Sequence, residues 1–388
     1  MNPAYPGDAV VELTRALVGI DSVSPSLAPG AAGESAIADV VADRLAAAGF
    51  EVRTVEAAVP GRPSVVATRT GSGPGRSVVL NGHLDTVGVE GMDDPFGARI
   101  AGERMLGRGT SDMKGGVAGL IVAAERLAAS DAPGLLTVAL VSDEEDGSVG
   151  ATAVLADLAS RGETADVCLI AEPTWLDLAV AHRGYAVVRV TISGRAAHSS
   201  QPDEAVDVMP AFAALLAAIE AAGLRVREGA PHPLLGHGSL MATVARAGTA
   251  PFTVAARAEV IIERRTLPGE AGAAALDEVR ALVGALAAEH GAVTWEVDQV
   301  IARDAWEADA AGPAAELADL LAAALGAPGR TGAPYWMESA LWQAAGIPAV
   351  VCGPAGGGLH AVDEWVDLGQ LRRFPVVVER AVRKFLTS

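Results

Sequence analysis

The sequence predicts an α/β layer protein into which a smaller α+β domain is inserted. Three observations carry this. From residue 50 to 170, apolar strand-like runs alternate with amphipathic helical stretches, the pattern of a layered α/β sheet. Between about residues 183 and 297 the order changes to strand–helix–strand–strand–helix–strand, the split βαβ arrangement. After residue 298 the α/β alternation returns. The chain has 388 residues, more than one core usually holds. Two domains are therefore expected, one formed by 1–182 with 298–388 and one by 183–297.

In chain order, residues 8–19 carry helical spacing at Val10, Leu13 and Leu17, broken by Asp21-Ser22-Val23-Ser24-Pro25. Residues 34–48 form a second amphipathic helix, ended by Gly49. Residues 50–55 and 64–69 alternate like strands, and 71–75 is a glycine-rich turn. Residues 77–80 are a short buried strand with Asn81-Gly82-His83-Leu84-Asp85 at its end. A looped stretch closes on the glycine-flanked segment 107–116. A small-residue helix (117–129), a buried strand (135–141), a helix (150–160) and a strand (167–170) follow. In the insertion, strands fall at 185–192, 239–245, 254–263 and 293–297, with long helices at 203–222 and 272–290. The last part holds helices at 313–325 and 337–345, a strand at 349–352 and a glycine-rich loop at 353–358.

Half of the residues are hydrophobic (51%) and 20% are charged, a globular composition. The net charge of −19 argues against nucleic-acid or anionic-membrane partners. The two cysteines, Cys168 and Cys352, lie in apolar runs and read as buried thiols. Residues 1–7 lack a charged-then-apolar leader, and no run of about 18 apolar residues occurs. A soluble, cytoplasmic protein is expected.

Three successive strand ends carry His83, the acids Asp143-Glu144-Glu145, and Glu172. In an open α/β sheet that is the end where ligands bind. Two carboxylates ~4 Å apart repel by roughly 4 kcal/mol at an effective dielectric of 20, so clustered acids face water, take a proton or bind a cation. His83 and Asp85 form a His-x-Asp pair in which a carboxylate could hold the second ring nitrogen of a ligand; an ordinary hydrogen-bonded pair reads equally well. Asp112 stands just before a helix and would also serve as its N-cap. If Glu144 and Glu145 are extended they point apart, one free to ligate a metal and the other to face water; a solvated acidic turn is the plain alternative. Glu172 precedes Pro173, and His360 follows the glycine loop, with Asp363 and Glu364 behind it; an exposed acid and a surface histidine are the plain readings of these two. Mixed nitrogen and oxygen donors suit Zn²⁺, Co²⁺ or Mn²⁺ better than Mg²⁺. Five ligands suffice for two ions ~3.5–4 Å apart if one carboxylate bridges, leaving one glutamate to take a proton from water.

Taken together, these motifs resemble the M20 metallopeptidase family over nearly the whole chain. The resemblance implies a mixed-sheet α/β catalytic domain of the zinc-exopeptidase type, with a ferredoxin-like α+β lid that makes a homodimer. It implies His83, Asp112 and Glu172 on one metal and Asp112, Glu145 and His360 on the other, with Asp85 orienting His83 and Glu144 as general base. Gly194-Arg195-Ala196-Ala197-His198-Ser199-Ser200 resembles the lid motif whose histidine stabilises the oxyanion, here His198. Arg265 corresponds to an arginine that contacts a substrate carboxylate, and Gly357 to a substrate contact. Phe252 stands where the family usually has asparagine, and phenylalanine cannot donate a hydrogen bond. The expected activity is therefore two-metal hydrolysis of an N-acyl amide on a small amino-acid-like substrate, in the manner of acetylornithine deacetylase. The rivals are a di- or tripeptidase or glutamate-type carboxypeptidase of the same family, and a non-catalytic metal- or ligand-binding module.

Overall fold

A computed structural model describes residues 8–388. The opening residues 1–7, read above for targeting signals, lie outside the described residues. The chain divides into two compact units, one of Met1–Val180, Ala308–Thr331 and Met337–Ser388, the other of Ala181–Glu307 and Gly332–Trp336.

The first unit is built on a mixed sheet. Its strands run in the order Glu51–Glu56, Pro63–Thr70, Leu135–Val141, Ser77–His83, Val167–Ile170, Ala349–Val351 and Leu178–His182. The four from Leu135–Val141 to Ala349–Val351 are mutually parallel, and the Glu51–Glu56 edge is antiparallel. Six of the seven residues of Leu135–Val141 are buried, as expected of a strand covered on both faces. Each large apolar side chain so buried contributes about 1.5–3 kcal/mol. Helix Gly115–Ala128 is buried along almost its whole length and packs against Asp8–Val18 and Leu368–Thr387. A small antiparallel sheet orders Gly356–Gly357, Trp365–Asp367, Arg104–Leu106 and Arg99–Ala101, and brackets the loop that carries His360.

The second unit contains strands Gly184–Ser193, Ser239–Ala247, Arg257–Thr266 and Thr294–Arg303 with helices Met209–Glu228 and Ala274–Glu289. The sheet order, second–third–first–fourth with every pair antiparallel, is that of a ferredoxin-like fold. Arg257–Thr266 buries every second residue. Ala211, Leu215, Ile219 and Ala222 form the buried stripe of helix Met209–Glu228, whose core partners include Val188, Val190 and Val260. By length and composition alone this helix could also span a membrane, but Glu220 interrupts it and its apolar stripe is spent on the sheet.

Several boundaries differ from the sequence expectation. The helix expected from residue 203 begins at Met209 because Pro202–Glu204 forms a separate short turn and Pro210 opens the helix. The strand expected from 254 begins at Arg257, since Phe252 lies in a loop at φ 63°. The strand expected to end at Leu80 continues to His83. The small sheet and the long helix Leu368–Thr387 were not anticipated.

Candidate metal centre

Parallel strands end on a common edge, and the chemistry of the first unit gathers there. His83 is the last residue of its strand. Glu144 and Glu145 follow Leu135–Val141, and Glu172 follows Val167–Ile170. Asp112 sits in the tight turn that opens helix Gly115–Ala128, with a cis peptide bond to Met113. His360 occupies the loop after Gly356–Gly357 at φ 61°.

These side chains converge. His83 Nε2 lies 3.0 Å from Asp112 Oδ1, and His360 Nε2 lies 3.4 Å from Asp112 Oδ2. One carboxylate thus offers an oxygen to each imidazole. His360 Nε2 is also 3.0 Å from Glu145 Oε2. Donor atoms of His83, Asp112 and Glu145 lie within 4.8 Å of one another, as do those of His83, Glu144 and Glu172. The six residues expected at the centre are therefore brought together. Glu144, expected to be spare, also falls within ligand range of His83 and Glu172.

The supporting contacts differ from expectation. Asp85 was to hold the second ring nitrogen of His83 through its carboxylate. The nearest partner of His83 Nδ1 is instead the Asp85 backbone carbonyl, at 3.0 Å, with the carboxylate at 3.6 Å. That carboxylate accepts the backbone N–H groups of Glu144 and Glu145, at 3.1 and 3.2 Å. Nor is the acidic segment extended. It is a turn with Asp143 at φ 64°, so strand alternation does not set the directions of its glutamates. Gly150 lets the following helix close on the turn: a Cβ there would meet the Ser142 backbone N and O at 2.4 Å. Sequence reasoning assigned no role to Glu364. It is 1% exposed and accepts the N–H groups of Gly109, Ser111 and Asp112 at 2.9, 2.9 and 3.1 Å. Arg108 donates to its Oε2 at 2.7 Å. The Asp112 loop is therefore folded around one carboxylate.

Burial lifts the carboxyls of Glu144 and Glu172 well above the usual range, and neighbouring acids lift them further. Burial and the nearby Asp112 push Glu145 to about 7. Burial alone would raise Asp112, but hydrogen bonds from His360 and His83 hold it below the usual range. Burial would lower His83, and its bonds to Asp112 and Asp85 outweigh that. Hydrogen bonds to Asp112 and Glu145 raise His360 to about 10. Glu145 Oε1 is buried with no hydrogen-bond partner, a group that ought to be satisfied. Four carboxylates and two imidazoles, one oxygen of them orphaned, fit a pair of divalent cations by donor type, count and charge.

The remaining expected residues lie in the second unit, Gly357 apart. His198 is exposed; its Nδ1 accepts the Ser200 N–H at 3.2 Å and faces Ser200 Oγ at 2.8 Å. An accepting Nδ1 leaves the ring proton on Nε2. The Phe252 ring is 76% exposed, and its carbonyl accepts the Ser199 N–H at 2.8 Å, tying its loop to that of His198. Arg265 stacks 5.2 Å from the Tyr185 ring centroid, and its fork is occupied by Glu263 at 3.0 and 3.2 Å. Gly357 pairs with Trp365, where a Cβ would come 2.8 Å from the indole Nε1.

Residues 79–384 match the model of peptidase family M20/M25/M40, and the chain belongs to that family. It is a hydrolase of amide bonds, with candidate metal ligands gathered at the strand ends of its first unit. Succinyl-diaminopimelate desuccinylase of Dinoroseobacter shibae is 31% identical over 97% of this chain and 98% of its own. Among solved structures, a tripeptidase from Staphylococcus aureus superposes with a TM-score of 0.77 at 20% identity, covering 98% of both chains. A Bacillus subtilis protein described as a dinuclear metal binding peptidase from the M20 family gives 0.74 at 16% identity, also covering 98% of both.

Proposed function

We propose that this protein is a two-zinc deacylase that hydrolyses the N-acyl amide of a small amino-acid-like substrate. The observation that carries this is the placing of Asp112 between two imidazoles, with Glu144, Glu145 and Glu172 closing the cluster. His83, Asp112 and Glu172 would hold one ion and Asp112, Glu145 and His360 the other. When bound, such ions supply positive charge that polarises a carbonyl and makes water more acidic. Glu144 takes a proton from the attacking water and returns it to the leaving nitrogen. By the family resemblance His198, with its proton on Nε2, would be the donor to a carbonyl oxygen that gains negative charge.

On the substrate side, the desuccinylase relative supports an acyl amino acid. Phe252 presents a ring where a polar contact is usual, which favours an apolar group on the substrate. The Glu263 partner of Arg265 must share or release that arginine if a substrate carboxylate is to bind. We further propose a homodimer through the second unit. An apolar groove of about 270 Å³ lies between helix Met209–Glu228 and edge strand Ser239–Ala247, lined by Leu216, Ile219, Leu224 and Met241, a surface a second copy would cover.

The test is a panel of N-acetyl and N-succinyl amino acids beside di- and tripeptides, on protein reconstituted with Zn²⁺, Co²⁺ or Mn²⁺. Preferential turnover of the acyl amino acids is expected. Preference for the peptides would transfer the assignment to an exopeptidase, and bound metal with no turnover to a binding module. Glu144→Gln should keep both metals and lose about 10²–10⁴ in kcat.

A further inference from the structure

One buried ion cluster of the first unit takes no part in the candidate ligand set. Arg62, Glu34 and Asp143 are 3%, 0% and 2% exposed. Arg62 grips Glu34 with two parallel bonds, Nε to Oε2 at 2.7 Å and Nη2 to Oε1 at 2.6 Å. The same Nη2 lies 2.8 Å from Asp143 Oδ1. Ser24 and Ser26 accept from the guanidinium at 3.1 and 2.8 Å, and Ser26 Oγ donates to Asp143 Oδ1 at 3.0 Å. The Asp143 N–H donates to Glu34 Oε1 at 3.2 Å. Asp143 is therefore held through its main chain and its side chain at once.

The held residue is the left-handed one, at φ 64°, a conformation an L-residue seldom adopts without support. Glu144 and Glu145 follow it directly, and Asp85 fixes their amides. Ser142 precedes it; its N–H donates to Ser64 Oγ at 3.2 Å and its hydroxyl to the Arg62 carbonyl at 3.0 Å. Each of the four residues 142–145 is thus tied to a group outside the turn, and Arg62 supplies ties at both ends of the first pair. A buried ion cluster is a poor source of stability, since well-packed apolar side chains commonly do as well. What this one specifies is the shape of the turn.

We propose that Arg62, together with Glu34, is a positioning device for the acidic turn: by locking Asp143 in its left-handed conformation it aims Glu144 at the reacting water. Arg62 acts on Glu144 at one remove, through Ser142 and Asp143. The proposal rests on Glu144 being the general base.

The test compares Arg62→Met, Arg62→Lys and Glu144→Gln on the metal-reconstituted enzyme, together with each Arg62 variant in the Glu144→Gln background. Because Arg62→Met strands two buried carboxylates, the triple variant Arg62→Met/Glu34→Gln/Asp143→Asn is made beside it, so that a folded form without the clamp exists. A misaimed base costs about 10²-fold, so kcat should fall by that factor with KM within about twofold and both metals retained. Arg62→Lys, which keeps the charge but not the fork, should recover part of the loss. In the Glu144→Gln background the same changes should cost almost nothing further, because there is no base left to aim. By hydrogen exchange on the metal-free protein, the amides of Glu144 and Glu145 should open faster in the triple variant while the strand amides stay protected. Full kcat in the triple variant, an equal loss in the Glu144→Gln background, or unchanged exchange of the turn would each overturn the proposal. Full activity of Glu144→Gln by itself would instead remove the general-base assignment, and hydrogen exchange alone would then decide whether the clamp holds the turn.

Discussion

Asp85 supplies no donor atom to either candidate ligand group, yet both glutamates of the acidic turn hang from its carboxylate. Outer partners of this kind typically set 10–100-fold in metal affinity. Asp85→Ala should weaken zinc binding by about that factor, measured by chelator competition, and Asp85→Asn should lose less because one acceptor remains. The titrating groups make a second prediction. In the metal-free protein Glu145 rises from 4.5 to about 7 and His360 from 6.5 to about 10. Both groups bind protons more tightly folded than unfolded, so the stability they contribute is complete below the unfolded pKa and is lost as pH rises through the folded one. The melting temperature of the metal-free protein should therefore fall between about pH 5 and 7, since above about pH 7 buried Lys114, itself lowered to about 7, acts in the opposite sense, and bound zinc should flatten that slope; a melting temperature that rises over this range would contradict the charge arrangement. At this scale the sequence discloses residue types that donate to metals, since histidine and clustered acids announce themselves. It conceals carboxylates whose partners are backbone amides. Glu364 meets Asp112 across 252 residues of chain, and an amide donor leaves no signature in residue identity.

Among the elements, the parallel strands were legible because full burial writes itself as a continuous apolar run. Their ends located the centre. Helix Leu368–Thr387 was not legible. Pro375 lies inside it, and an interior proline costs a helix about 3 kcal/mol. Burial of ten of its residues, Phe374 and Phe385 among them, overrides that local penalty. The Phe374 ring closes against Gly119, where a Cβ would meet it at 2.4 Å. Phe374→Ala should accordingly cost about 3–5 kcal/mol of stability, read from urea melts. A loss under 1 kcal/mol would mean that this helix is not integral to the core. The short strands beside His360 escaped the sequence reading for another reason: runs of two or three residues hold no periodicity to detect.

For the molecule as a whole, the net charge of −19 argued against broad classes of partner but left the assembly open. The proposed dimer surface makes a direct prediction. Leu224 and Met241 are 56% and 40% exposed beside the apolar groove. Leu224→Asp with Met241→Asp should shift sedimentation from dimer to monomer without lowering the melting temperature of the separate chain by more than about 1 kcal/mol equivalent. A wild-type protein that sediments as a monomer at micromolar concentration would dispose of the interface.

The points where the chain enters and leaves the second unit carry a consequence of their own. Strand Leu178–His182 and the short strand Trp306–Glu307 are antiparallel neighbours, with His182 opposite Trp306 and Ala181 opposite Glu307. The hundred-odd residues between them hang from what would otherwise be an ordinary hairpin. Such an insertion leaves the register of its two flanking strands intact. A chain joining residue 182 to residue 306 through a two-residue turn should keep these two strands paired in the same register.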